Sequence, residues 1–319
     1  ARDLALVPDA ELVAVGSRRP ESAEAFAAEH GGADVTAYGS YEELAAAPDV
    51  DVLYIATPHA LHLDNARLAF EAGKHVLCEK PLTLDTAEAT EMVRLAGEHD
   101  RFLMEAMWTA CHPAILALRE RLRSGDLGVP RHLHAELGFR VDAPADDRML
   151  DPSLGASALL DMGIYPLTFA QLMLGEPEEL RASADLARGI DLDVAMVGRY
   201  AGGALATLTA SMTSWSSRSA AIATDRGRID VDDFHHPSRM TFTAYTDGGS
   251  NDTVDLGRPV PIEVREPVIG RGYGNEIAEV GRCLEAGLRE SPLVPHAQTL
   301  SLLRQMDDVR SQVGVAFPS

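Results

Sequence analysis

The sequence predicts an α/β protein of two domains: a doubly wound parallel sheet over residues 1–120, then an α+β domain with a largely antiparallel, open sheet over residues 121–319. Three observations predict it. Up to Ala106, short β-branched apolar runs alternate with helical patterns, the rhythm of parallel strands joined by crossover helices. Later strands are amphipathic and separated by Gly and Asp turns, as in a sheet with one covered face. A chain of 319 residues with 46% apolar residues exceeds one compact domain and can fill two cores.

In order along the chain, Glu11-Leu-Val-Ala-Val-Gly16 reads as a strand, and Pro20 to His30, with Ala and Phe26 at helical spacing, as a helix. Val50 to Ala56 is a second buried strand; it ends in Thr57-Pro58 and leads into an Ala/Leu-rich helix that Gly73 closes. His75 to Cys78 is a third strand, Thr86 to His99 a helix, and Arg101 to Ala106 a further strand. In the second domain Arg131 to Phe139, Ala195 to Tyr200 and Ala204 to Ser211 alternate as strands, and Gly270 to Gly287 and Ala297 to Val313 read as helices. Asp247 to Asp252 reads as a surface turn, and no internal repeat is found.

Doubly wound sheets bind ligands beyond the carboxyl ends of their strands, which places Ser17 to Arg19, Thr57 to His62, Glu79 to Pro81 and Trp108 around one crevice. A Rossmann-like, dinucleotide-binding unit opens with a strand and a Gly-x-Gly-x-x-Gly turn. Ala1 to Pro8 reads instead as the second half of a helix, so that strand and turn are expected just upstream of Ala1. Where such a unit has a carboxylate for the ribose 2′-hydroxyl of NAD, this chain has Ser17, Arg18 and Arg19. Arginine there suits a 2′-phosphate, hence NADP with NAD as the alternative; a solvated loop pair is the competing reading.

Cys78-Glu79-Lys80-Pro81 follows a buried strand, and Pro81 keeps Lys80 out of helical geometry while permitting a cis peptide. Lysine occurs only at Lys74 and Lys80, which sets this position apart from an ordinary surface Glu-Lys-Pro. Gly155-Ala-Ser-Ala-Leu-Leu-Asp-Met-Gly-Ile-Tyr-Pro166 leads into a Leu-rich helix in which Asp161 and Tyr165, four apart, share a face and Pro166 introduces a kink. A tyrosine serves as acid or base near neutral pH only where a close cation such as Lys80 favours its phenolate. A buried aromatic and a helix N-cap are the structural alternatives for Tyr165 and Asp161.

A net charge of −21 disfavours nucleic acid and acidic membrane surfaces as partners. No run approaches the roughly 18 apolar residues of a membrane span and no basic-then-apolar leader is seen, so a cytoplasmic protein is expected. Cys78, Cys111 and Cys283 are too few and too far apart for a disulfide framework and read as buried thiols. His59 and His62 lack a third ligand nearby, so no metal is expected; His132 and His134 alternate on a strand, His235-His236 adjoin a turn, and no role falls to these four.

Ala56-Thr-Pro58, Glu79-Lys-Pro81, Met104-Glu-Ala-Met-Trp108 with His112-Pro113, and Leu160-Asp-Met-Gly-Ile-Tyr165 together resemble the glucose–fructose oxidoreductase/inositol dehydrogenase family. The resemblance covers nearly the whole chain and is nearest to the branch of dimeric dihydrodiol dehydrogenases and NADP-linked D-xylose dehydrogenases. It implies Lys80 and Tyr165 as a catalytic pair, Asp161 as a substrate-side partner, Arg18 as the 2′-phosphate contact, and Trp108 in the pocket lining. Thr57, Pro58 and His62 are implied as a nicotinamide-side wall, with Ser17, Arg19 and Glu79 also on the cofactor side. The implied reaction moves a hydride between nicotinamide and a small sugar or cyclic diol, in a homodimer formed through the C-terminal sheet. An NAD(P)-sensing regulator of the same fold and an NAD-dependent glycosidase are the alternatives. Gly155-Ala156 stands where the family usually has a glycine run.

Overall fold

The computed structural model describes residues 1–31, 34–144, 147–245 and 257–316, and the turn expected at Asp247–Asp252 lies outside them. The chain forms two compact units, Ala1–Cys111 with Val268–Leu303, and His112–Pro267 with Arg304–Ser319. Where the sequence suggested one break at residue 120, the change of unit falls after Cys111, and the segment Val268–Leu303 belongs with the first unit.

In the first unit β1 (Ala14–Gly16) pairs in parallel with β2 (Thr36–Tyr38), with α1 (Pro20–His30) as the crossover and α2 (Tyr41–Ala45) following. β3 (Val52–Ile55), β4 (His75–Glu79) and β5 (Leu103–Ala106) form a second parallel sheet in that order, connected by α3 (His62–Glu71) and α4 (Thr86–Glu98). The single sheet expected from the sequence is thus two parallel ladders, with no described strand joining them. Its core strands are the apolar ones: Val76, Leu77, Cys78, Leu103 and Met104 are buried, as are Ala66, Ala69, Phe70, Ala89 and Met92 of the helices.

Two expected elements shrink, each for a local reason. Of Glu11–Gly16 only Ala14–Gly16 finds a ladder partner, in Thr36–Tyr38. Ala1–Pro8 holds one short 3-10 turn, Leu4–Leu6, in place of the end of a long helix. There the Asp3 carboxylate turns inward and accepts from the backbone N–H groups of Arg271 and Tyr273, 2.7 and 3.1 Å away. Gly270 (φ +64°) permits this approach, since a Cβ on it would lie 2.4 Å from the Asp3 carboxylate.

The short α5 (Trp108–Cys111) closes this part of the first unit, and α6 (Pro113–Arg123) opens the second. There β6 (Pro130–Gly138), α7 (Ile164–Leu174), β7 (Pro177–Ala187), β8 (Ile190–Tyr200), β9 (Leu205–Ser211), β10 (Ala220–Thr224), β11 (Gly227–Asp232), β12 (Arg239–Ala244) and β13 (Val260–Pro261) follow. They give an eight-stranded sheet of order β13-β12-β11-β10-β6-β9-β8-β7, antiparallel throughout except for β6 and β9. Strand residues alternate as a one-sided sheet requires: Leu133, Ala135, Met196, Ala206 and Leu208 are buried, while His132, His134, Val197, Leu205 and Thr207 are exposed. The covering layer includes α7, which packs on β6 and β9. The stretch Pro152–Leu174 is long and apolar enough to cross a membrane, yet 83% of its apolar window is buried, as in a core helix.

The last helices are α8 (Tyr273–Glu285), packed on α5 within the first unit, and α9 (His296–Val313).

Candidate active site

In the first unit β4 ends at Glu79, the loop after it carries Lys80 and Pro81, and the Lys80–Pro81 peptide is cis, a geometry the sequence allowed. Three groups hold the loop, two of them buried. The His62 ring, with no exposed surface, places Nδ1 3.1 Å from the carbonyls of Pro81 and Leu82 and Nε2 2.9 Å from that of Thr57. It thereby ties the end of β3 to the loop after β4. Carbonyls at both nitrogens favour a doubly protonated ring, but burial outweighs them and lowers its pKa. The resemblance implied His62 in a cofactor wall; in the structure its ring nitrogens face the backbone carbonyls of Thr57, Pro81 and Leu82.

Glu105 of β5 is the second brace. Its carboxylate, 3% exposed, accepts from Leu82 N–H at 3.0 Å and from the Thr299 hydroxyl at 2.9 Å. Burial raises its pKa, opposed by those two hydrogen bonds and by the positive charge of Lys80. Third, Glu79 receives the Tyr54 hydroxyl on one oxygen and the Lys80 N–H, 3.2 Å away, on the other. Its negative charge, after burial, pushes the Tyr54 phenol well above the usual range, even though 46% of that residue is exposed.

Ser17, Arg18 and Arg19 form the turn from β1 into α1: the Ser17 hydroxyl accepts from Arg19 N–H at 3.2 Å, and Arg19 is the N-cap residue ahead of Pro20. Both guanidinium groups are at exposed positions beside a helix N-terminus and no carboxylate occurs at 17–19, a donor set that suits a phosphate. Thr57 accepts from the Asn65 amide at 3.1 Å, and Pro58 caps the short turn His59–Leu61. Trp108, 5% exposed, stacks on Tyr273 of α8 with ring centroids 4.4 Å apart and planes 3° from parallel. Nothing in the sequence linked these two rings, which stand 165 positions apart.

In the second unit Asp161 lies in a π-helical turn, Leu159–Gly163, and Tyr165 in the first turn of α7. Proline at 166 cannot donate to the carbonyl four residues back, and the helix widens just before it: Ile164 N–H bonds to the Leu159 carbonyl. The four-residue spacing of Asp161 and Tyr165 therefore does not by itself fix a shared face. Asp161 is half-buried and Tyr165 is 8% exposed.

The ring of Tyr165 meets the edge of His235, centroids 5.5 Å apart and planes at 68°. Sequence reasoning gave His235 no role. His235 Nδ1 lies 3.5 Å from the Asp233 carboxylate and His236 Nδ1 3.7 Å from it. These three residues bring ligand atoms within 4.8 Å of one another. The Arg218 guanidinium, 3.4 Å from the same carboxylate, already supplies a cation there and opposes a metal ion. His112, the buried N-cap of α6, accepts from Ala114 N–H at 3.2 Å, and burial, with the positive charge of His236, lowers its pKa to about 4.

The family profile described as oxidoreductase family, NAD-binding Rossmann fold, matches residues 2–107, and that of the GFO/IDH/MocA C-terminal domain matches residues 115–230. The chain belongs to the GFO/IDH/MocA oxidoreductase family. Among curated relatives, the trans-1,2-dihydrobenzene-1,2-diol dehydrogenase of Mus musculus is 35% identical over 99% of this chain and 93% of its own length. The NADP-dependent D-xylose 1-dehydrogenase of Hypocrea jecorina is 33% identical over 97% of this chain and 85% of its own. An aldose–aldose oxidoreductase from Caulobacter crescentus superposes with a TM-score of 0.82 at 22% identity, covering 95% of this chain and 90% of that one, a likeness of fold. The protein is an NAD(P)-dependent oxidoreductase whose named relatives act on CH–OH groups.

Proposed function

We propose that this oxidoreductase moves a hydride between NADP and a carbinol or carbonyl carbon of a small sugar or cyclic diol, with Tyr165 as acid/base, Lys80 assisting it and Asp161 contacting substrate. The observation that carries the reading is the bracing of the loop that bears Lys80. His62 and Glu105 hold it from both sides through buried hydrogen bonds, the kind of support that preorganises a reacting group. Lys80 and Tyr165 belong to different units, and their partnership rests on the order of the motifs and on the chemistry of the relatives.

The nicotinamide of the bound cofactor supplies the hydride acceptor or donor. Tyr165 then takes the proton from the substrate hydroxyl in oxidation and returns it in reduction, and the Lys80 ammonium favours the phenolate form. Arg18, with Ser17 and Arg19 beside the α1 N-terminus, holds the 2′-phosphate and so selects NADP over NAD. Thr57, Pro58 and Glu79 line the cofactor side, with His62 holding them from behind and Trp108 adding an aromatic wall.

A homodimer through the open face of the second unit's sheet is part of the proposal, since Val197 and Leu205 there are 52% and 40% exposed. A reducing, cytoplasmic setting suits three buried free thiols. An assay of NADP⁺ and NAD⁺ reduction against trans-1,2-dihydrobenzene-1,2-diol, D-xylose and a panel of hexoses tests the reading. Turnover with NADP⁺ preferred is expected; cofactor binding with no turnover of any alcohol would replace the enzyme with a sensor.

A further inference from the structure

We infer that His235 is a positioning residue for Tyr165; the inference rests on the reading of Tyr165 as the acid/base. The segment 233–236 is built to present this ring. Asp233 adopts a left-handed conformation, φ +54°, which Asp tolerates better than most residues, and its carbonyl accepts from His236 N–H at 2.8 Å, tightening the turn. Phe234, with no exposed surface, plugs into the core against Phe169 of α7, ring centroids 5.3 Å apart and planes at 63°. Its N–H donates to the Arg218 carbonyl at 3.0 Å.

Phe169 and Tyr165 stand four apart on α7, so they lie one above the other on the same helical face. Two neighbouring residues of the turn therefore dock on two stacked positions of the helix: Phe234 on Phe169 and His235 on Tyr165. The contact limits the swing of the Tyr165 side chain about its Cα–Cβ bond, the rotation that carries the hydroxyl, since the phenol oxygen lies on the ring's own rotation axis. The Asp233 carboxylate lies at ion-pair distance from both, 3.5 Å from His235 Nδ1 and 3.4 Å from Arg218 Nε. His236, 3.7 Å from the same carboxylate and with its ring 4.1 Å from that of His235, packs beside the pair.

The variants His235→Ala, His235→Phe and Tyr165→Phe are compared for NADP⁺ reduction with trans-1,2-dihydrobenzene-1,2-diol and with D-xylose, after thermal melting has shown each to be folded. A small misplacement of a reacting group costs up to about 100-fold in rate, so His235→Ala should lower kcat by roughly 10- to 100-fold while KM changes less than about threefold. His235→Phe, which restores an aromatic edge, should regain most of the loss. Selective ¹³C labelling of tyrosine rings gives a second readout that needs no turnover. The Tyr165 signal, assigned by its loss in Tyr165→Phe, should move in His235→Ala and return towards its original position in His235→Phe.

Unchanged kcat and an unmoved Tyr165 signal in folded His235→Ala would overturn the inference. So would a His235→Phe variant no better than His235→Ala. Full activity in Tyr165→Phe would instead remove the acid/base reading itself, whatever the His235 variants do.

Discussion

The carboxylate of Glu105 accepts a hydrogen bond from the backbone N–H of Leu82, 3.0 Å away, and so fixes the chain two residues beyond Lys80. The same carboxylate takes the Thr299 hydroxyl at 2.9 Å, so one buried acid links a strand end, the lysine loop and the start of the last helix. Removing it leaves two donors without their acceptor. Leaving a buried donor unsatisfied costs about 1–3 kcal/mol, and relief from burying a carboxylate offsets part of that; Glu105→Leu should lower stability by roughly 2 kcal/mol. Glu105→Gln, which keeps an acceptor, should lose less. Chemical unfolding of the two variants checks this, and equal losses would show that the acceptor is not what matters.

Glu276 of α8 is 1% exposed and one of its oxygens, Oε2, has no hydrogen-bond partner among the described residues. Burial, then the negative charges of Glu79 and Asp3, push its carboxyl well above the ordinary value of 4.5. The folded state thus holds this proton more tightly than the unfolded chain. Its contribution to stability is complete below about 4.5, the unfolded value, and is lost as pH rises through the raised folded value. Glu276→Gln should therefore gain stability relative to the parent as pH rises from 5 to 9, read by thermal melting across that range. A difference independent of pH would contradict the assignment.

Arg18 lies beside the α1 N-terminus and is the residue proposed to hold the 2′-phosphate. A hydrogen bond to a charged group is worth about 1.5–3 kcal/mol, so Arg18→Ala should cut the NADP⁺ over NAD⁺ preference in kcat/KM by roughly tenfold or more. NAD⁺ kinetics should stay within about twofold, because NAD⁺ has no phosphate to lose. Steady-state kinetics with both cofactors decides it; an unchanged ratio would return Arg18 to the solvated loop.

The parallel strands were legible because β3, β4 and β5 are apolar on both faces, and Lys80 was legible because it follows such a strand in a chain with one other lysine. β2 and α2 were not, since three and five residues are too short for a periodic signal. β7 passed unnamed because its pattern is mostly exposed and polar, as at a sheet edge. In the site, Tyr165 and Asp161 stood out from their motif, but the π turn between them depends on helix geometry around Pro166 that composition does not encode. Glu105 left a trace in the sequence, an acid inside an apolar strand. His235 left none, because its meaning lies in the ring it touches, 70 positions away.

The account stands most directly on the pre-steady-state rate of NADP⁺ reduction by trans-1,2-dihydrobenzene-1,2-diol in the parent, Tyr165→Phe and Lys80→Met proteins, with NADP⁺ affinity measured in each. Loss of a positioned acid/base typically costs about 10²- to 10⁴-fold. The predicted result is a loss of that size in both variants, with NADP⁺ binding by Tyr165→Phe within about threefold of the parent. Reduction at the parental rate by Tyr165→Phe would contradict the central claim.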